Sequence, residues 1–349
     1  MTFNPIIKED LLYIYNSNID WSIFRDTTIL ITGANGFLPA YLVEFFLFLN
    51  NTNPNINLKV FGLVRNEKKG KERFKDYLKY KNFKLIIQDV CDEIKINGNI
   101  DYIFHAASQA SPKFYGLDPV GTLYPNIIGT INLLNFSKLK NVKSFLYFSS
   151  GEVYGEVKAK SIKESNFGHL DPTNVRSCYA ESKRMGENIC ISFHHQFGVN
   201  IKIVRPFHTY GPGMALNDGR VFADFVNCII NKSDINLNSD GSAIRCFCYL
   251  SDATIGFIKV LIDGIPGQAY NIGNPNEEIS IINLAKTLTK LYSDFNLNVN
   301  LKNQNNKLGY IASKVKKVSP NINKVKKLGW SPKISLTQGF KRTIDSFNY

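Results

Sequence analysis

A chain of 349 residues with 44% hydrophobic and 20% charged side chains has the make-up of a globular α/β domain with a smaller lobe, which excludes a disordered protein. Its net charge of +13 comes from lysines scattered among asparagines, as in "NEKKGKERFKDYLKYKNFK" (66–84), and not from a basic stripe, so no nucleic-acid partner is expected. The same field favours an anionic small-molecule substrate.

The six cysteines (Cys91, Cys178, Cys190, Cys228, Cys246 and Cys248) form no C-x-x-C and no metal-ligand spacing, which points to no metal and a reducing compartment. The first residues, "MTFNPIIKEDLLYIY", carry acidic side chains and no long apolar stretch, unlike a secretory signal. The most apolar run, "YLVEFFLFLN" (41–50), is about half of what a bilayer crossing needs and contains Glu44. A cytoplasmic protein without membrane contact is expected.

In chain order, residues 1–27 read as an amphipathic helix and a connector. Strands are expected at 27–33, 58–65, 83–90, 101–108, 142–150 and 200–206. Helices are expected at 38–50, 67–80, 120–139 and 178–197, and this alternation predicts a parallel sheet covered on both faces. Beyond Arg205 glycine, proline and asparagine increase. "AYNIG" (269–273) reads as one more strand of the sheet and 279–292 as an amphipathic helix, whereas 296–308 reads as loop or edge strand. The expected division is an arm (1–27), a sheet domain (28–206 and 245–275) and a discontinuous C-terminal lobe (207–244 and 276–349).

After the first strand stands "TGANGFLPAYL" (32–42). Gly33 and Gly36 permit a tight strand-to-helix turn and close approach of a pyrophosphate to helix N-terminal amides, the mark of a Rossmann-type doubly wound sheet. The third glycine of that pattern is Pro39 here, which the first helical turn tolerates. The acidic residue that holds the NAD ribose is absent from the second strand end, where Arg65 and Asn66 stand. Arg65 either stacks on adenine or pairs with a 2′-phosphate, so NAD is expected and NADP stays open. Asp89 is expected near the adenine edge.

The fifth strand ends in "SSGEVYG" (149–155), and "RSCYAESKR" (176–184) puts Tyr179 and Lys183 one helical turn apart. Ser150 and Glu152 would share the crevice with them. A lysine cation beneath Tyr179 would lower the phenol's pKa and fit it to take a hydroxyl proton.

At these residues the chain resembles the extended short-chain dehydrogenase/reductase family of NAD-dependent sugar-nucleotide epimerases and dehydratases. The likeness rests on "TGANGF", "HAAS", "SSGEVYG", "YAESK" and "LGWSP" (328–332). Within it, "ASPKFYGLDPVGTLYPNIIGT" (110–130), "HTYGPGMALNDGRVFADF" (208–225) and "YNIGNPNEE" (270–278) are most similar to the UDP-glucuronate decarboxylases. The resemblance implies a nucleotide-sugar substrate and NAD that is reduced and reoxidised within one turnover. It implies a dinucleotide site of Gly33, Asn35, Gly36, Phe37, Leu38, Arg65, Asp89, Val90, Ala106, Ala107 and Ser108, with Tyr179 and Lys183. It implies catalysis by Tyr179, Lys183, Ser150, Glu152 and Arg245. Substrate contacts would come from Ser111, Pro112, Tyr115, His208, Arg220, Val221 and Arg245, and a homodimer would form through helices of the sheet domain.

The chain departs from that pattern at Gly151, where decarboxylases have serine and many 4,6-dehydratases have aspartate, and at His208 and Gly213. Dehydratase, C4-epimerase and 4-ketoreductase outcomes therefore stay open, as does a dinucleotide sensor without activity. Glu152 also reads as a capping carboxylate, Arg245 as a salt-bridge residue and His208 as a hydrogen-bonded structural histidine. His194 and His195 read as ordinary helix residues.

Overall fold

The computed structural model of the protein describes residues 4–301 and 316–349. Seven parallel strands make the central sheet: β1 (Thr28–Thr32), β2 (Lys59–Val64), β3 (Phe83–Ile87), β4 (Tyr102–His105), β5 (Ser144–Phe148), β6 (Ile201–Pro206) and, late in the chain, β11 (Gln268–Ile272). Their spatial order is β3-β2-β1-β4-β5-β6-β11, so the order reverses beside β1, where a doubly wound sheet opens its ligand crevice. β1 is buried along its whole length, which is why its run is apolar without alternation.

Helix α1 (Pro5–Tyr15) starts at Asn4, whose side chain accepts from Ile6 and Ile7 amides. α2 (Phe37–Thr52), α3 (Glu67–Arg73), a single turn α4 (Phe114–Leu117), α5 (Pro119–Lys140) and α6 (Cys178–Phe197) follow. α2 and the later α8 (Leu250–Asp263) bury one face of the sheet, with Leu11 and Ile14 of α1 packed outside them. α5 and α6 cover the other face through Leu133, Leu134, Phe136 and Cys190.

The remaining elements build a second core. They are β7 (Thr209–Tyr210), α7 (Val221–Ile230), β8 (Ile235–Leu237), β9 (Ile244–Cys246), β10 (Cys248–Tyr249), β12 (Glu278–Ser280), α9 (Ile281–Leu291), β13 (Val299–Leu301) and α11 (Leu336–Asp345), whereas α10 (Asn323–Lys326) lies against the sheet. Tyr210 and Phe340 stack at its centre, their rings 4.0 Å apart, with Phe222, Phe247 and Leu284 around them. Ile322, Val325 and Trp330 pack instead into the sheet's core, and Trp330 donates to the Asp252 carbonyl at 2.8 Å. The arm spans both cores. Asp10, almost fully buried, accepts from Tyr249 Oη at 2.6 Å and from Arg342 of α11 at 2.7 Å, and Tyr13 Oη donates to Asp252 at 2.8 Å.

Two local expectations are revised and a third is met in part. The lysine-rich helix stops at Arg73, because Phe74 and Tyr77 turn into the core and Phe74 packs on Phe83 with ring centroids 5.2 Å apart. The fourth and fifth strands end at His105 and Phe148, releasing Ala106–Ser108 and Ser149–Gly151 as crevice loops. Of 296–308, residues 299–301 form an edge strand beside β8, and 302–308 lie outside the described residues.

A buried polar knot holds α6 against the sheet. Arg205 of β6 clasps Glu187 of α6 with bonds of 2.8 and 2.6 Å. Glu187 also accepts from Ser149 Oγ at 2.5 Å, and Arg205 donates to Tyr154 Oη at 2.8 Å and to the Glu164 carbonyl at 2.9 Å.

Candidate active site

The glycine turn seats directly on the loop after β4. Gly33 has φ +62°, and a Cβ there would lie 2.7 Å from Ala107 Cα, so glycine is required both for the backbone conformation and for the contact. The Gly36 amide donates back to the Gly33 carbonyl at 2.8 Å, and α2 begins with no side-chain cap. Pro39, in the place of the third glycine, is buried in the first turn with its ring beside Gly36. The turn is therefore formed without that glycine.

His105 of "HAAS" is a structural residue. Its ring bonds Thr32 Oγ1 at 2.9 Å and Thr130 Oγ1 at 3.1 Å, and burial lowers its pKa to about 3. Thr32 Oγ1 in turn accepts from the Ala107 amide at 3.2 Å. Beyond it the Ser108 hydroxyl is buried with no hydrogen-bond partner. An uncapped helix start, a glycine cradle and an orphaned hydroxyl at adjacent strand ends fit a dinucleotide pyrophosphate.

Around this cradle, Asn35, Phe37, Leu38 and Ala106 are half-buried. Val90 turns its side chain into the core against Gly129 of α5. Arg65 follows β2, and its Nη1 stands 4.0 Å from Asp89. Asp89 is also held by the Cys91 amide at 2.9 Å.

Tyr179 and Lys183 lie on the buried face of α6. The Ser150 hydroxyl pulls the Tyr179 pKa down, and Ser150 Oγ accepts from the Glu152 amide at 3.2 Å. Tyr115 lies flat on the Tyr179 ring, with centroids 5.0 Å and planes 12° apart, and Arg176 lies over Tyr115 at 4.7 Å. Arg176 also pairs with Glu152 at 3.0 Å, so Glu152 is more than a capping group. Arg176 stands three residues before Tyr179, but nothing in the local sequence marks it as part of the site.

The expected lowering of the phenol's pKa is not what the geometry produces. Tyr179 is pushed up to about 12, first by burial and then by the Glu152 carboxylate, while Ser150, Arg220 and Arg176 pull it down. Lys183 is lowered to about 7 by its own burial, and its ammonium group donates to the Phe148 carbonyl at 2.6 Å. Helical spacing brings the two side chains onto one face, but the depth at which each is buried decides its charge.

Over the crevice, the segment after Ser108 meets the loop before α7. Ser111 Oγ donates to the Asp218 carbonyl at 2.5 Å, and Arg220 donates to the Ala110 carbonyl at 3.0 Å while pairing with Asp218 at 2.9 Å. Pro112 is half-buried, and Val221 opens α7 against the second core. His208 has a buried Nδ1 without a partner, unlike the hydrogen-bonded histidine expected, and burial with Arg245 and Arg220 lowers its pKa to about 3. Arg245 donates to the Ile244 carbonyl at 2.8 Å. At Gly151 a Cβ would come within 3.2 Å of the Phe207 ring. Gly213 has φ +81°, a turn suited to glycine and not to a larger side chain.

A dinucleotide cradle beside half-buried Ser150 and buried Tyr179 and Lys183 at the C-terminal edge of a doubly wound sheet defines a Rossmann-type enzyme of the short-chain dehydrogenase/reductase class. Residues 29–273 match the NAD dependent epimerase/dehydratase family, and the chain belongs to that family. It is 35% identical over 321 residues to UDP-glucuronic acid decarboxylase 3 of Arabidopsis thaliana, covering 91% of this chain and 88% of the relative. It is 32% identical to UDP-glucuronic acid decarboxylase 1 of Xenopus tropicalis, covering 91% and 72%. Among solved structures it is similar to a UDP-glucose 4-epimerase of Thermotoga maritima, with a TM-score of 0.79, 25% identity and coverage of 92% of this chain and 99% of that one. The fold is likewise that of a UDP-glucuronic acid 4-epimerase of Bacillus cereus, with a TM-score of 0.76, 24% identity and coverage of 92% and 99%. No helix among the described residues is long and apolar enough to cross a membrane.

The lowered pKa of Lys183 has a measurable consequence. Its folded value of about 7 lies below the ordinary 10.5, so between these values the unfolded chain binds more protons and stability rises with pH. The burial penalty is full below pH 7 and absent above 10.5. Urea unfolding of the unaltered chain and Lys183→Met at pH 7.5 and 9.5 should show the unaltered chain gaining on the variant as pH rises, by up to about 1.4 kcal/mol per unit.

Proposed function

We propose that the protein converts UDP-glucuronate to a UDP-pentose and carbon dioxide, with no net redox change. NAD, when bound, supplies the acceptor and later the donor of a hydride at the sugar's C4. The phenolate form of Tyr179, which Ser150, Arg220 and Arg176 favour against burial, takes the C4 hydroxyl proton, and Ser150 bonds the same oxygen. Lys183, anchored on the Phe148 carbonyl, contributes the local positive charge when protonated. Oxidation makes the sugar a β-keto acid, whose carboxylate leaves because its electrons pass into an enolate. Glu152, held by Arg176, serves proton transfer at C5. Arg245, His208 and Arg220 face the acidic groups of the substrate, with Ser111, Pro112, Tyr115 and Val221 shaping the pocket.

The observation that carries this reading is the array of buried Tyr179 and Tyr115 with half-buried Ser150, Arg176 and Glu152 beside a dinucleotide cradle. The identity to decarboxylases over most of the chain supports the particular substrate. Gly151 supplies no carboxylic acid where many dehydratases carry aspartate, which counts against a dehydratase. The six free cysteines support a reducing, cytoplasmic setting.

A second copy of the chain is the proposed partner. On α5, Val120, Tyr124, Ile128 and Ile131 are exposed at helical spacing, and Met185 and Ile191 are exposed on neighbouring α6. Such a stripe is suited to pairing with its own copy across a two-fold axis.

Incubation with UDP-glucuronate, UDP-glucose and dTDP-glucose in separate reactions, followed by NMR, should release carbon dioxide from the uronate alone without added dinucleotide. Tyr179→Phe should lower kcat by about 100-fold or more while the purified protein keeps its dinucleotide. Unchanged turnover would refute the role given to Tyr179. Ile128→Glu should convert a dimer to monomers in sedimentation velocity runs; an unaltered dimer would place the contact elsewhere.

A further inference from the structure

Resting on the dinucleotide reading of the crevice, we propose that its adenosine end accepts a ribose 2′-phosphate as well as a 2′-hydroxyl, with Arg65 as the residue that decides. In a doubly wound sheet, a carboxylate just past the second strand accepts from the 2′-hydroxyl and repels a 2′-phosphate, whereas an arginine there does the reverse. The Ala34 amide donates to the Leu63 carbonyl at 3.1 Å, so the glycine turn and the end of β2 lie side by side. The side chain that follows Val64 is Arg65, two-thirds exposed.

The neighbouring polar groups are engaged. Asn66 Oδ1 accepts from the Lys69 amide at 2.9 Å, and Glu67 pairs with Lys71 at 2.7 Å. Two carboxylates act on Arg65 from other elements. Asp89, after β3, stands 4.0 Å away. Asp118, which caps α5 and is held by Gln109 at 3.0 Å, feels the Arg65 charge.

A contact of 4.0 Å between exposed groups is a weak pair, and a phosphate dianion forms shorter, charge-assisted bonds to a guanidinium fork. Arg65 therefore exchanges Asp89 for the phosphate. The two carboxylates offset part of that attraction and keep the site from excluding the unphosphorylated cofactor. The result is a crevice that takes both dinucleotides.

The test is fluorescence titration with NADH and NADPH of the full chain stripped of the dinucleotide it retains on purification. The two dissociation constants should lie within about tenfold of each other. Arg65→Asp should lower the preference for NADPH relative to NADH by about 30-fold or more. NADH binding with NADPH more than about 100-fold weaker in the unaltered chain, or an Arg65→Asp protein that treats both as before, would overturn the inference and leave the proposed reaction standing. Failure of both nucleotides to bind would overturn the dinucleotide reading itself.

Discussion

The ion pair of Arg205 and Glu187 joins the helix that carries the reactive side chains to the sheet that carries their partners. Glu187 lies one turn beyond Lys183, which lies one turn beyond Tyr179. By clasping Arg205 and accepting from Ser149, Glu187 fixes the height of α6 relative to the end of β5. Ser150 and the Phe148 carbonyl are then at the level of Tyr179 and Lys183. A buried pair of this kind is tolerable only when its remaining hydrogen-bonding capacity is met. Here Tyr154 and the Glu164 carbonyl complete Arg205, and Tyr154 passes the constraint to Asn271 of β11. One polar knot thus ties four elements at the floor of the crevice.

Within that frame, burial governs the chemistry of the site more than any single neighbour does. It pushes Tyr179 up and Lys183 down, each toward its uncharged form, and Glu152 adds to the effect on Tyr179. Arg176 and Arg220 oppose it, so the charge of Tyr179 depends on groups from the helix start and from the lobe. The division of labour follows. In the proposed reaction the sheet domain would set up proton and hydride transfer at C4, and the segment from His208 to Arg245 would select the sugar. The departures at Gly151, His208 and Gly213 leave Ser150, Tyr179 and Lys183 in place.

Much of this was legible in the chain. The limits of α6 follow from the apolar spacing of 178–197, and the seven strands follow from alternating runs with a glycine turn after the first, although their order in the sheet does not. Strand ends were read too long because apolar periodicity continues into Ala106 and Ala107, which leave the sheet to line the crevice. The lysine-rich helix was read too long because the pull on Phe74 and Tyr77 is a tertiary one. Arg176, Glu187 and Arg205 were invisible for a related reason, since each gains its meaning from a partner on another element. The sign of the Tyr179 shift was misread on the same account, as depth of burial is a property of the folded chain. The anchoring of the arm through Asp10 to Arg342, at opposite ends of the sequence, had no local signal at all.

The central claim is that hydride leaves C4 and returns to it within one visit of the sugar. UDP-glucuronate carrying deuterium at C4, turned over without added dinucleotide and examined by NMR and mass spectrometry, reports on this directly. The account predicts that the UDP-pentose keeps the deuterium at C4. Product with protium at that carbon, or turnover that requires a stoichiometric external reductant, would contradict it.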